Sequence, residues 1–213
     1  MQTIIIKDND LSYAARVLKS GGLVGVPTET VYGLAGNGLD EAAVSMIYEV
    51  KGRPAIKPLS LLIADIEAAA FVCAKTPEAQ KLLEKAKKLA DKFWPGPLTI
   101  VLPCCDTVPQ IVTAGGNTIG VRCPDHPKTL ELLRLAGVPV ACPSANISDM
   151  PSPKSAQDVL GYFDGKIPCV IDGGVCTLGV ESTIVSLTDE PYKILRQGAL
   201  PEEEIKRVLA IQS

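Results

Sequence analysis

Three cations stand within seven residues, at Lys51, Arg53 and Lys57. Positive charges this close repel one another unless an anion sits among them or water screens them. Pro54 and Pro58 fix their own φ angles and remove two backbone donors, so residues 51–59 read as a stiffened loop. A stiff cationic loop between a helix and a strand suits a polyphosphate. A solvated basic loop accounts for the same charges, and charge alone leaves the two readings level.

Further polar residues sit at the ends of apolar runs, where open α/β sheets hold their ligands. Thr28, Glu29 and Thr30 follow the run ending at Val26, and Arg122 closes another. Ser144 and Asn146 follow one, Ser182 and Thr183 open one, and Arg196 follows Ile194 and Leu195. Taken singly, each is ordinary turn chemistry or capping. The chemistry available is narrow, because His126 is the only imidazole and stands in a Pro-Asp-His-Pro turn expected at the surface. Ser144 and Ser182 have no evident base and suit hydrogen bonding better than nucleophilic attack. Arginine and lysine bind phosphates and stabilise charge developing in phosphoryl or nucleotidyl transfer. No Walker loop and no Gly-x-Gly-x-x-Gly is present. The residues therefore describe a nucleotide or anion site that works by positioning and electrostatics.

The elements that must position these residues alternate without a break. Strands are expected at residues 3–6, 23–26, 59–63, 98–102, 118–122, 138–142, 169–172 and 182–187, from their β-branched and apolar runs. Helices are expected at 10–19, 41–51 with Asp40 as cap, 77–93, 128–135 and 201–211. With no linker, repeat or low-complexity segment, residues 1–213 read as a single α/β domain with a mixed sheet.

Composition agrees with that reading and excludes other classes. Apolar residues make up 46% of the 213 residues and charged residues 21%, with a net charge of −3, so general affinity for nucleic acid is not indicated. Seven cysteines, an odd number without a Cys-x-x-Cys pair, point to reduced and mostly buried thiols and away from disulfides or a protein metal site. The N-terminus is charged too early for a signal peptide, and no run is long enough to span a bilayer. A cytoplasmic protein without membrane contact is expected.

Residues 27–34 (Pro-Thr-Glu-Thr-Val-Tyr-Gly-Leu), Lys51-Gly52-Arg53-Pro54 with Lys57-Pro58-Leu59, and Ser144-Ala145-Asn146 resemble the YrdC family. Further matches are Trp94-Pro95-Gly96-Pro97-Leu98-Thr99, Val121-Arg122-Cys123-Pro124, Glu181-Ser182-Thr183-Ile184-Val185 and Leu195-Arg196-Gln197-Gly198, in family order across nearly the whole chain. The resemblance implies a twisted mixed sheet with flanking helices around a deep, positively charged cavity. It also implies a nucleotidyltransferase, an L-threonylcarbamoyladenylate synthase acting on L-threonine, bicarbonate and ATP, with Mg²⁺ accompanying the ATP. A separate threonylcarbamoyl transferase complex would then modify tRNA next to the anticodon.

Carried onto this chain, the resemblance implies threonine contacts at Thr30, Arg122, the backbone around Cys142, and Ser182. ATP contacts would be Arg53, Lys57, Thr118, Ser144, Ser152 and Arg196, with Lys51, Arg53 and Asn146 as catalytic residues that neutralise or orient the triphosphate. The chain departs from the family pattern in four places. Many members carry Asn where Lys57 stands, and some carry His, a threonine contact, at Leu62. Asp149 replaces the usual Gly of Ser-x-Asn-x-Ser-Gly, and Ser186 stands where Asp is frequent. The length suggests the short form without an extra C-terminal domain. Two competing readings are an RNA-binding module, whose charged cavity would weakly attract a tRNA or double-stranded RNA backbone, and a carbamoyl-adenylating enzyme of the hydrogenase-maturation type.

Overall fold

A computed structural model describes residues 2–8 and 10–210. Ten strands form one mixed sheet: β1 (Ile4–Ile6), β2 (Val24–Val26), β3 (Gly33–Asn37), β4 (Ser60–Leu62), β5 (Leu98–Pro103), β6 (Thr118–Arg122), β7 (Val140–Ala141), β8 (Cys169–Ile171), β9 (Thr183–Ser186) and β10 (Lys193–Arg196). Their order across the sheet is β1-β8-β2-β3-β7-β4-β6-β5-β9-β10. The expected α/β class and mixed sheet are therefore present, with parallel pairs such as β4–β6 beside antiparallel ones such as β5–β6.

Among the described residues seven α-helices accompany the sheet, with a 3-10 turn at Glu67–Phe71: α1 (Ser12–Lys19), α2 (Glu41–Lys51), α3 (Pro77–Phe93), α4 (Gln110–Thr113), α5 (Pro127–Ala136), α6 (Ala156–Phe163) and α7 (Glu202–Ala210). Two buried clusters hold the layers together. Leu18 of α1 and Leu132 of α5 pack with Val24, Val26, Leu62 and Val140. Val44 of α2, Leu83 of α3, Val159 of α6 and Ile205 of α7 pack with Leu34, Leu61 and Val121. Alternation along β4 thus sends Leu62 and Leu61 to opposite faces.

Helix α2 shows how sequence sets an element that the site depends on. The Asp40 carboxylate accepts from the amides of Ala42 and Ala43 at 3.0 and 3.4 Å, capping the first turn. Its buried residues, Ala43, Val44, Ile47, Tyr48 and Lys51, keep helical spacing, so the last cation of the helix is carried inward with the apolar face. Gly52 ends the helix at φ 58°, a left-handed turn that favours glycine, and releases the chain into the basic loop.

Some elements differ from expectation. β3 was not foreseen, since Gly33-Leu34-Ala35-Gly36-Asn37 has no β-branched residue. Its small residues are what admit it: a Cβ at Gly36 would sit 2.9 Å from Leu23 and 3.1 Å from Ile47. The short α4, α6 and β10 also went unpredicted. The last helix starts one residue later than expected, and its expected end at Ile211 lies outside the described residues. His126 is half-buried, against the expected surface position, because it is the N-cap residue of α5 and its Nδ1 is enclosed. All seven cysteines are free thiols; Cys73, Cys123 and Cys169 are buried and the other four half-buried.

Candidate functional site

The site is built on one face of the sheet. Ser60 pairs with Gly120 across β4 and β6, and Leu62 pairs with Arg122. Val101 of β5 faces Gly120, and Thr99 faces Ile184 of β9, which in turn opposes Arg196 of β10. Strand alternation therefore aims Ser60, Gly120, Arg122, Thr99, Ile184 and Arg196 to the same side. On that face α1 and α5 cover Val24, Val26, Leu62 and Val140. Beyond them the polar residues line a cavity with Thr30, Arg53, Cys142 and Ser182. Gly120 leaves room in the floor, since a Cβ there would lie 2.8 Å from Ser60 Oγ and 3.1 Å from a Thr99 methyl.

The cavity holds about 100 Å³. Sites for drug-sized ligands hold about 300–1,000 Å³. Its interior therefore suits a small polar molecule, and anything as large as a nucleotide must extend through the mouth. Three arginines, Arg53, Arg122 and Arg196, line it against a single carboxylate, Glu181.

Arg122 is 7% exposed and held on three sides. Its Nε donates to the Gly96 carbonyl at 3.1 Å, and its Nη2 donates to Glu29 Oε1 at 2.7 Å and to Thr30 Oγ1 at 3.0 Å. Glu29 is equally buried, and its other oxygen accepts from the Asp125 amide at 3.0 Å. Nη1 has no hydrogen-bond partner among the described residues, which leaves its two N–H groups for a ligand. Thr28 donates to the Val31 carbonyl at 2.7 Å, so Thr30 uses its own proton on Thr28 Oγ1, at 2.8 Å.

At the far wall, Arg196 donates from Nε to the Ser182 carbonyl at 3.0 Å and from Nη2 to Ser182 Oγ at 3.1 Å. Ser182 Oγ also lies 2.8 Å from Thr99 Oγ1. Beside it, Ser152 Oγ donates to Glu181 Oε1 at 2.6 Å, and this hydroxyl holds the Glu181 carboxyl below its ordinary range.

The basic loop is tied to itself before any ligand arrives. Arg53 donates to the carbonyls of Lys57 at 3.1 Å and Pro58 at 2.9 Å, and the Tyr48 hydroxyl reaches the Lys57 carbonyl at 2.9 Å. Burial lowers the Arg53 and Arg196 pKa values from their usual range. Lys57 pairs with Asp149 at 3.2 Å on an exposed surface, a contact of small net worth that a phosphate could replace. These are two of the positions where the chain departs from the resemblance, and they meet each other. Asp149 stands at φ 65°, the left-handed conformation that explains glycine as the usual residue there.

Lys51 has a different place from its neighbours in the loop. It is 1% exposed, and its Nζ donates to the carbonyl oxygens of Ser144 and Asn146. Burial first, and then the Arg53 charge, depress its pKa to about 8. The Lys-x-Arg and Ser-x-Asn segments are thereby joined: the lysine anchors the loop that carries Ser144 and Asn146. Asn146 donates to the Met150 carbonyl at 2.7 Å and leaves its buried Oδ1 without a partner among the described residues.

Of the residues singled out from sequence, Thr30, Arg53, Arg122, Cys142, Ser182 and Arg196 come together around the cavity. Burial pushes the Cys142 thiol up to about 12, so it is a wall and not a nucleophile at neutral pH. Thr118 shares the Gly120–Arg122 face of β6 but lies outside the enclosed lining, as do Lys51, Lys57, Ser144, Asn146 and Ser152. Sequence reasoning did not assign a role to Glu29, Thr99, Ser60 or Glu181. Alternation along β5 and β4 was the available signal for Thr99 and Ser60, and adjacence to Thr30 and Ser182 for the two carboxylates.

Residues 16–198 match the Sua5/YciO/YrdC family, described as "Telomere recombination". The chain belongs to this family. It is 48% identical over 204 residues to the threonylcarbamoyl-AMP synthase of Pyrococcus abyssi (strain GE5 / Orsay), covering 96% of this chain and 58% of that protein. The chain thus spans less than two thirds of the length of this Sua5/YciO/YrdC relative. A putative threonylcarbamoyl-AMP synthase of Methanocaldococcus jannaschii is 36% identical, with 92% of this chain and 89% of that one covered. Among solved structures, P. abyssi Sua5 complexed with L-threonine superposes with a TM-score of 0.92 at 48% identity, over 97% of this chain and 61% of that chain. Among the described residues, no helix is long and apolar enough to cross a membrane.

Proposed function

We propose that this protein is an L-threonylcarbamoyladenylate synthase, converting L-threonine, bicarbonate and ATP into threonylcarbamoyl-AMP, pyrophosphate and water. The observation that carries this reading is the cavity: Arg122, Thr30 and Ser182 enclose a space of amino-acid size, and Arg53 and Arg196 stand at its wall. The P. abyssi relative solved with L-threonine supports a threonine occupant.

In this reading the Nη1 amino group of Arg122 donates to the threonine carboxylate, a charge-assisted contact. The threonine amine attacks the carbon of bicarbonate, forming the N–C bond of a carbamate and releasing water. A carbamate oxygen then attacks the α-phosphorus of ATP, and the bond to the β-phosphate breaks to release pyrophosphate. Arg53 and Lys57 stabilise the charge that develops on the departing phosphates, with Arg196 on the other wall. Enclosure protects the carbamate from bulk water. Lys51 and Asn146 act by shaping the Ser144 loop for the nucleotide.

Mg²⁺ would enter with ATP, held by phosphate oxygens and water. Arg53 and Arg196 on the cavity wall would bind the phosphates that bring it. The proposed setting is the cytoplasm, where a threonylcarbamoyl transferase complex would collect the product for tRNA.

The test is pyrophosphate release with ATP and bicarbonate. Release that depends on L-threonine supports the synthase. Release that ignores threonine and requires carbamoyl phosphate would replace it with carbamoyl adenylation, and salt-sensitive RNA binding without turnover would replace it with the RNA-binding module.

A further inference from the structure

Among the described residues Ser182 Oγ has two hydrogen-bond partners, and a ligand that takes its proton leaves it to accept from both. Arg196 Nη2 can only donate, so at 3.1 Å it takes one of the two lone pairs on Ser182 Oγ. Thr99 is 2% exposed, and Ser182 Oγ, at 2.8 Å, is the only acceptor within reach of its hydroxyl among the described residues. Either hydroxyl can donate across this contact in the empty cavity; once a ligand oxygen takes the Ser182 proton, Thr99 is left as the donor and takes the second lone pair. The Ser182 proton is then the one group of that oxygen left for the cavity.

We propose that Thr99 is a positioning residue that turns the Ser182 hydroxyl into an obligate donor, and so makes this end of the cavity select an anionic oxygen of the bound amino acid. Thr30 has the opposite polarity: it accepts from Arg122 at 3.0 Å and gives its proton to Thr28. The two hydroxyls thus face the ligand with different signs, donor at Ser182 and acceptor at Thr30. Without Thr99, Ser182 regains a free lone pair and its proton is no longer committed to the ligand. Because Arg196 binds the same oxygen, the amino-acid and nucleotide walls share one atom.

This inference rests on the threonine reading above, and its test separates the two. L-threonine binding to the full chain is measured by calorimetry, and turnover is followed in parallel as pyrophosphate release, for wild type, Thr99→Val and Thr99→Ser. Valine keeps the shape and removes the hydroxyl; serine restores it. Thr99→Val is expected to weaken threonine binding and raise its KM about tenfold, roughly the worth of one well-placed hydrogen bond, with the loss in KM for threonine and not in KM for ATP. Thr99→Ser is expected to recover most of it. Unaltered threonine affinity in Thr99→Val, or a loss that serine does not recover, overturns the proposal. Wild type that binds threonine without turnover sinks the synthase reading while the valine variant still judges the wiring, and wild type that does not bind threonine overturns both.

Discussion

Glu29 and Arg122 form a buried ion pair at 2.7 Å, with side chains 8% and 9% exposed. The pair holds the guanidinium by Nη2 and leaves Nη1 without a partner among the described residues. Removing one partner leaves the other charge buried and unpaired. Glu29→Ala is therefore expected to lower stability by about 3–5 kcal/mol, read by urea unfolding. Glu29→Gln keeps an acceptor for the Asp125 amide or for Arg122 and should lose less. A loss below about 1 kcal/mol in Glu29→Ala would mean that the pair does not position Arg122.

Lys51 gives a pH prediction. Its amine titrates near 10.5 in the unfolded chain and near 8 when folded. Below about 8 both states carry the proton, and its contribution to stability does not change with pH. Between about 8 and 10.5 the unfolded chain binds a proton that the folded chain lacks, so the contribution rises with pH. The neutral amine keeps two N–H donors for the Ser144 and Asn146 carbonyls. The stability difference between wild type and Lys51→Met should therefore widen from pH 8 to pH 10. A difference independent of pH would show that the lysine is not depressed.

The Lys57–Asp149 pair is exposed, and Asp149 would compete with any phosphate for the lysine. Asp149→Asn removes the competing charge and should lower KM for ATP about threefold at low salt, with the gain fading as salt rises. An unchanged KM would remove Lys57 from the nucleotide wall.

Arg53 holds two carbonyls with one planar fork, which lysine cannot reproduce. Both Arg53→Ala and Arg53→Lys are expected to lower kcat/KM for ATP about 100-fold or more, the scale of one lost charge-stabilising donor, while the far-UV circular dichroism spectrum stays native. Near-normal turnover in folded Arg53→Lys would reduce the arginine to a point charge.

Much of the fold was legible because long periodic runs mark their own elements: α3 spans the expected residues 77–93, α2 the expected 41–51 and β6 the expected 118–122. The unforeseen elements are those whose state is decided by neighbours. β3 is a strand because β2 and β7 bracket it, not because Gly33 or Gly36 prefers extension. Helix α6 has only eight residues, and its Ser155–Asp158 capping box was the one readable mark. In the site, residue types were readable and partners were not. Lys51 reads as a third free cation in the chain, yet the helical period that buries Val44, Ile47 and Tyr48 buries it as well. Glu29 and Thr99 acquire roles only when β5, β6 and the residues after β2 are brought side by side.

The most direct test of the central claim follows carbon from labelled bicarbonate into nucleotide. Full chain, ATP, Mg²⁺, L-threonine and labelled bicarbonate are mixed, and the products are separated and weighed by mass spectrometry. The account predicts a labelled threonylcarbamoyl-AMP that disappears when threonine, bicarbonate or ATP is left out, and that is lost in Arg122→Ala. A labelled adenylate that forms without threonine, or none at all from a folded, threonine-binding protein, would contradict it.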